Sequence, residues 1–215
     1  EEDILLIEDN PYGLFHGEER RVPTLKALDG GRRVVYLGSF AKTVVPGARV
    51  GYAVSDQGVT DRDGRSTTLA HHLARLKSML TVNTSPIAQA VVAGRLLENG
   101  YSLARANQRE RRFYQHNLQH LLRGLESRFS AVSDQVTWNA PLGGFFVVVT
   151  LPFRVGDEEL RQCADEHGVL WTPMSHFYGA EGGENQLRLS CSAVSTEAID
   201  TGLDGLRDYV LGRLR

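Results

Sequence analysis

The sequence predicts an α/β protein in two parts: a mostly parallel sheet with helices over 1–115, then a small α+β domain over 116–215. Three observations point there. Short apolar runs of the kind found in buried parallel strands occur at Asp3–Glu8, Arg33–Gly38 and Arg49–Val54. Leucines then recur at three- and four-residue steps, the period of a helix. After Phe129, strand and helix patterns alternate over shorter stretches.

Taken in order, the first run ends in the turn signal Asn10-Pro11-Tyr12-Gly13. A connection bearing Pro and Gly joins the second and third runs and carries Lys42. Leu69, Leu73, Leu76 and Leu80 predict a helix over about 67–80. Ser85-Pro86 starts the next, with proline in its first turn, and Asn99-Gly100 stops it. A long polar helix is predicted from Ser102 to Phe129, with Tyr114, Leu118, Leu121, Leu122 and Leu125 on its apolar stripe. Its charged middle suits a helix that joins two domains. Strands are predicted at Gln135–Trp138, Gly144–Leu151, Val169–Thr172 and Gln186–Ser192, and helices at Asp157–His167 and Thr196–Leu214.

The chain has 215 residues, 41% apolar, with a formal net charge of -2. That length supports a sizeable core, and the charge balance gives no footprint for nucleic acid or an anionic membrane. No apolar run approaches the roughly 18 residues of a membrane span, and no signal peptide pattern opens the chain. Cys163 and Cys191 lack metal-ligand spacing, so neither a disulfide framework nor a metal site is expected. The expectation is a cytoplasmic protein.

The 24 basic residues include only Lys26, Lys42 and Lys77 as lysines, the other 21 being arginines. Arginine cannot replace lysine where chemistry needs a free amine. Lys42 lies in Ser39-Phe40-Ala41-Lys42-Thr43-Val44-Val45-Pro46-Gly47-Ala48-Arg49, small and apolar company for a nucleophilic amine. An ordinary surface lysine is the bland alternative, and the neighbours argue against it. Ser39 offers a hydroxyl and Arg49 a fixed cation, both suited to a phosphate dianion. Asp9 closes the first strand, at the end where open α/β sheets place ligand-binding groups. There its carboxylate can hold a pyridinium N–H and Tyr12 a phenolic oxygen; a plain Asx-Pro turn is the competing reading. Arg188 alternates with Leu187 and Leu189 in a strand, so it points away from them and calls for a carboxylate. A structural ion pair or a solvent-facing edge arginine would explain it equally. His116 and His120, four apart on a helix, have no third metal ligand nearby in sequence and read as a solvated face.

In chain order, Asp9–Tyr12, Ser39–Lys42, Pro46–Tyr52, Gly143–Phe145 and Arg188–Ser190 resemble the motifs of fold-type I, class I/II pyridoxal-phosphate-dependent aminotransferases. The resemblance runs nearly end to end over the C-terminal half of that family. It implies the C-terminal part of the large cofactor domain at 1–115 and the small C-terminal domain at 116–215. It also implies pyridoxal 5'-phosphate as cofactor, held by Lys42 as an imine, with Lys42 later moving the substrate α-proton. Asp9 then pairs with the pyridine nitrogen, Tyr12 contacts the ring O3', Ser39 and Arg49 bind the phosphate, and Arg188 takes the substrate α-carboxylate. Ala41 departs from the family pattern, where a second serine is common.

The resemblance further implies amino acid and 2-oxo acid substrates, a homodimer, and an N-terminal half, on a separate chain or a missing segment, that completes the cofactor site. Leu80–Pro86 and Trp171–Gly179 resemble actinobacterial arylglycine-forming members, and His176, Phe177 and Tyr178 border the substrate pocket in relatives. An amino-acid oxidase or cyclase on the same cofactor shares the lysine block. So does a MocR-like regulator, in which such a domain senses a ligand.

Overall fold

The structure, a computed structural model, describes residues 4–17, 22–30 and 32–214. The chain divides into two compact units, Glu1–Leu14 with Glu18–Arg111, and Phe15–Gly17 with Arg112–Arg215. The α/β class expected from the sequence is the class observed. Asp3, the first residue of the first expected strand, lies outside the described residues.

The first unit is built on β1 (Leu6–Asp9), β2 (Val34–Ser39) and β3 (Gly51–Val54), in the order β1-β2-β3. A one-turn helix, α1 (Leu25–Leu28), lies between β1 and β2 in sequence. Glu8 accepts from the backbone N–H groups of Leu25 and Lys26 at 3.0 Å each, supplying the acceptors a helix N-terminus lacks. β1 and β2 are parallel, Leu6 opposite Val34 through Asp9 opposite Leu37. β3 runs antiparallel to β2, Ser39 opposite Gly51, an antiparallel member of the sheet that the sequence predicts to be mostly parallel. The cause is chain length: eleven residues separate the two strands, and a parallel crossover takes a dozen or more, commonly with a helix.

A hairpin that the sequence reading left as loop follows, β4 (Gly58–Thr60) with β5 (Ser66–Thr68). Asp61 closes its turn by accepting from the N–H groups of Asp63 and Arg65 at 2.9 Å each. Helices α2 (Leu69–Thr81) and α3 (Pro86–Glu98) start at Thr68 and Ser85, whose side chains cap the N–H groups of His71 and Ala88. The leucine stripe of α2 covers no core among the described residues; Leu76 and Leu80 are exposed.

The single long helix expected from Ser102 divides into α4 (Leu103–Ala106) and α5 (Gln108–Phe129). Asn107 makes the break. Buried to 3%, it turns both its backbone N–H and its side-chain amide onto the Leu103 carbonyl, at 3.0 and 2.8 Å.

The second unit holds β6 (Thr137–Trp138), β7 (Phe146–Thr150), β8 (Thr172–Pro173) and β9 (Gln186–Ser190) in an antiparallel sheet ordered β6-β7-β9-β8. Helices α6 (Asp157–His167) and α7 (Thr196–Arg213) complete it. α6 opens with the Gly156 N–H donating to the Glu159 carboxylate at 2.8 Å and ends at Gly168 in the left-handed conformation. Alternation sorts the sheet faces: Val147, Val149, Leu187 and Leu189 enter a core shared with Leu118, Leu121 and Leu125 of α5 and Leu203 and Leu206 of α7. Phe146 and Arg188 lie on the opposite face. Cys163 and Cys191 are free and buried, and burial pushes both thiols up to about 11, so neither offers a thiolate near neutral pH.

Phe15–Gly17 joins this unit although it lies almost a hundred residues upstream. His16 bridges Gly143, the Gly144 N–H donates to the Phe15 carbonyl at 2.7 Å, and Phe15 packs against Tyr114 and Phe145 with ring centroids 5.3 and 5.0 Å away. A β-carbon on Gly143 would sit 2.4 Å from both His16 Cα and the Phe15 carbonyl oxygen. Both are backbone atoms that cannot turn aside, which is why this motif carries glycine. Gly143→Ala should therefore destabilise the unit by about 2 kcal/mol or more, a fall of several degrees in melting temperature. Gly179→Ala, at a site with open space, should melt like the wild type. Equal melting of the two variants would refute the close-approach explanation.

Candidate functional site

The end of β1 with the turn after it, and the stretch from the end of β2 to the start of β3, carry five of the six expected site residues within the first unit. Asp9 ends β1 with its side chain exposed and makes no hydrogen bond or ion pair among the described residues. Tyr36, opposite Glu8 in the sheet, donates its hydroxyl to the Asn10 carbonyl at 3.4 Å, fixing the chain just past Asp9. Burial, helped by neighbouring Tyr52, pushes Tyr36 up to about 12, so its hydroxyl stays a donor at ordinary pH.

The Lys42 connection is pinned at close intervals. The Phe40 N–H donates to Val50, and the Phe40 carbonyl accepts from Thr43, Val44 and Val45. Ser39 Oγ accepts from the Ala41 N–H at 3.2 Å, and the Thr43 hydroxyl donates to the Ser39 carbonyl at 3.4 Å. Ala41 and Thr43 are buried, and Lys42 between them is turned out into the open. Its Nζ lies 5.8 Å from the centre of the Tyr12 ring. No carboxylate or hydrogen-bond acceptor engages it among the described residues.

The other two lysines are committed. Lys26 is paired with Asp29 and Asp56. Lys77 donates to the Thr81 hydroxyl at 2.6 Å on its own helix. Lys42 therefore stands apart by its environment as well as by its motif.

Arg49 follows the short turn Pro46–Ala48 with φ 51° and ψ 40°. Few residues without glycine's freedom adopt this left-handed region, and the strain persists only where surrounding structure imposes it. Here the turn hands the chain directly into β3. The guanidinium is exposed, available for an anion.

Arg188 belongs to the second unit, opposite Val148 on β7 and Thr172 on β8. Its Nε is buried without a hydrogen-bond partner, and its guanidinium carbon lies 4.2 Å from the Phe146 ring centre and 4.3 Å from that of Phe177. No carboxylate pairs with it among the described residues, unlike Arg128 and Arg207, which take Asp204 and Asp208. The two rings escaped the sequence reading as arginine partners, though alternation along β7 does put Phe146 on the face that Arg188 shares.

His176 reaches Asp157 at 3.1 Å, both side chains being largely exposed. His120 bonds Asp200 at 2.9 Å. Among the described residues, no three His, Cys, Asp or Glu side chains cluster as metal ligands, and no helix is long and apolar enough to cross a membrane.

Comparison with known proteins agrees with the motif order. The model for aminotransferase class I and II matches residues 1–206. The chain is 56% identical to an (S)-3,5-dihydroxyphenylglycine transaminase of Amycolatopsis orientalis, over 99% of this chain and 47% of that protein. Its fold matches a kynurenine aminotransferase of Pyrococcus horikoshii with a TM-score of 0.82 at 30% identity, covering 99% of this chain and 49% of that one. It also matches the α-aminoadipate aminotransferase of Thermus thermophilus, solved with N-(5'-phosphopyridoxyl)-L-leucine, with a TM-score of 0.79 at 30% identity over 98% of this chain and 51% of that one. The chain spans about half the length of these relatives. With these motifs in this order on this fold, the chain belongs to the class I and II aminotransferase family.

Proposed function

We propose that this chain is the C-terminal half of a pyridoxal-phosphate-dependent aminotransferase acting on an arylglycine-type amino acid. The observation that carries the reading is the uncommitted Lys42 amine, next to Tyr12 and held on a pinned turn between Ser39 and Arg49. The 56% identity to a dihydroxyphenylglycine transaminase supports the substrate class and favours transamination over oxidation, cyclisation or ligand sensing.

The residues present fit the cofactor. Lys42 brings an amine, Ser39 and Arg49 bring a hydroxyl and a cation for its phosphate, Tyr12 a phenol, and Asp9 a carboxylate with no other side-chain partner among the described residues. When bound, pyridoxal phosphate supplies an aldehyde that condenses with amines and a ring that accepts the electron pair left at the substrate Cα. Asp9 would pair with the ring nitrogen and favour its protonated form, which would make that acceptance easier. Tyr12 would donate its hydroxyl to the ring oxygen. Lys42 would hold the cofactor through its amine and, when that amine is free, would serve as the base that takes up and returns the substrate α-proton. Arg188 binds the α-carboxylate through its planar fork. The net reaction would be exchange of an amino group between an amino acid and a 2-oxo acid.

Residues 1–115 supply the C-terminal part of the cofactor domain in this reading, and 116–215 the small domain. The family's N-terminal half supplies the remaining cofactor contacts, and the working particle is a cytoplasmic homodimer. The test is a half-reaction. The whole enzyme, mixed with a phenylglycine-type amino acid and no acceptor, should release one equivalent of 2-oxo acid per site and stop. Adding a 2-oxo acid should restore the starting absorbance. Continued turnover with oxygen uptake and no acceptor would replace transamination with oxidation.

A further inference from the structure

We propose that Phe146 and Phe177 are positioning residues that clamp the Arg188 guanidinium between two rings and present its N–H edge to a substrate carboxylate. The inference rests on the reading that Arg188 binds that carboxylate and adds the means by which the arginine is set in place beforehand.

The clamp follows from the sheet. Arg188 on β9 is flanked on one side by β7 and on the other by β8. Phe146 comes from β7, two residues from Val148, the cross-strand partner of Arg188. Phe177 comes from the turn that directly follows β8, whose Thr172 pairs with Arg188 from the other side. Centroid distances of 4.2 and 4.3 Å are well inside the range of about 6 Å over which a ring face attracts a cation. A planar cation with a ring on each flank can make further strong contacts only through its in-plane N–H groups. Those are the groups a carboxylate engages bidentately.

Two further observations separate a poised binding group from a structural arginine. A part-buried arginine that served only the fold would be hydrogen-bonded, as Arg128 is to Asp204, whereas Arg188 Nε is buried with no partner. Phe177 is 53% exposed, so its place over the guanidinium is not explained by core packing.

The turn that carries Phe177 is itself held from several directions. The Tyr178 N–H donates to the Ser175 carbonyl at 3.3 Å, the Tyr178 hydroxyl to Gln186 at 3.3 Å, and His176 pairs with Asp157. Gly182 and Gly183, at φ 142° and 71°, leave the room the Tyr178 ring occupies; a β-carbon on either would approach it within 2.7 Å. Phe177 is thus anchored independently of the arginine it covers.

The test uses the whole enzyme with cofactor bound. It measures kcat and KM for a phenylglycine-type amino acid, the dissociation constant of 3-phenylpropionate as a carboxylate probe without an amine, and reaction with phenylglycinamide, which lacks the carboxylate. Phe177→Leu should raise KM and the probe's dissociation constant about tenfold, within the strength of a partly desolvated cation–ring contact. It should leave kcat and the amide reaction within twofold. Phe177→Tyr, which keeps the ring, should restore wild-type binding, and Phe146→Leu should repeat the pattern. Unchanged probe binding in Phe177→Leu, or an equal loss with the amide, would overturn the clamp. Arg188→Lys separates the two levels of the argument. Weaker probe binding in Arg188→Lys with none in Phe177→Leu overturns the clamp alone, and unchanged probe binding in Arg188→Lys overturns the carboxylate reading beneath it.

Discussion

Replacing Lys42 with alanine in the whole enzyme should lower turnover by roughly 10⁴-fold or more, because one side chain performs two tasks. In the proposed reading it is both the covalent anchor of the cofactor and the group that moves the α-proton, and a positioned proton-transfer group alone contributes about 10² to 10⁴. Lys42→Arg should be no better than alanine, since a guanidinium neither condenses with an aldehyde nor gives up its proton. Borohydride reduction of the wild-type enzyme followed by peptide mapping should place the phosphopyridoxyl group on Lys42. Lys26 and Lys77 should stay unlabelled: the first is held by Asp29 and Asp56, the second by Thr81. Label on either of them, or a Lys42→Ala enzyme of near wild-type activity, would remove the assignment.

The second large effect concerns what covers the first unit. Ile4, Leu5, Leu6 and Ile7 are each about half exposed or more, and Met79, Leu80, Val82 and Ile87 are each 73% exposed or more. So much apolar surface on one unit is characteristic of an interface rather than of a finished exterior. The second unit contrasts with it, because Leu118, Leu125, Val147, Val149 and Leu187 are wholly buried within its own core.

Residues 1–215 expressed alone should therefore behave unevenly. Limited proteolysis should cut the part before α5 first and leave a protected fragment beginning near Arg112. Pyridoxal phosphate affinity should be lower by about a thousandfold or more than in the whole enzyme. That is the scale of losing three charge-assisted hydrogen bonds at about 1.5 kcal/mol each. Supplying the N-terminal half in trans should restore both protection and affinity. A cooperatively folded, monomeric 1–215 that binds the cofactor tightly and transaminates unaided would contradict the proposal of a completing half.

Much of the chemistry was legible because it sits in short contiguous blocks. Lys42 and the neighbours proposed to bind phosphate fall within eleven residues, Ser39 to Arg49, and Asp9 and Tyr12 within four. Arg188 was legible from alternation alone, since Leu187 and Leu189 had to share a face and the arginine had to take the other. Helix limits were readable where a cap or stop marked them. α6 spans Asp157–His167 as expected, with Gly168 beyond it, and α3 follows Ser85-Pro86. The break at Asn107 was not readable. Asparagine is tolerated in a polar helix, and only burial beside the Leu103 carbonyl makes its side chain compete with the backbone.

By itself the sequence determined the motif order that marks the family and the class of most long elements, because capping, periodicity and motif spacing are interactions within a few residues. Tertiary structure decided everything that joins distant residues. It turned β3 antiparallel to β2, recruited Phe15–Gly17 to the second unit against Gly143, and held Arg49 at φ 51°. It also brought rings from two different neighbouring segments onto Arg188 while withholding any carboxylate among the described residues. Such contacts depend on loop closure and on competition among many partners for each face, and no local pattern encodes them. A lone strand specifies where Arg188 points; only the packed sheet specifies what it meets there.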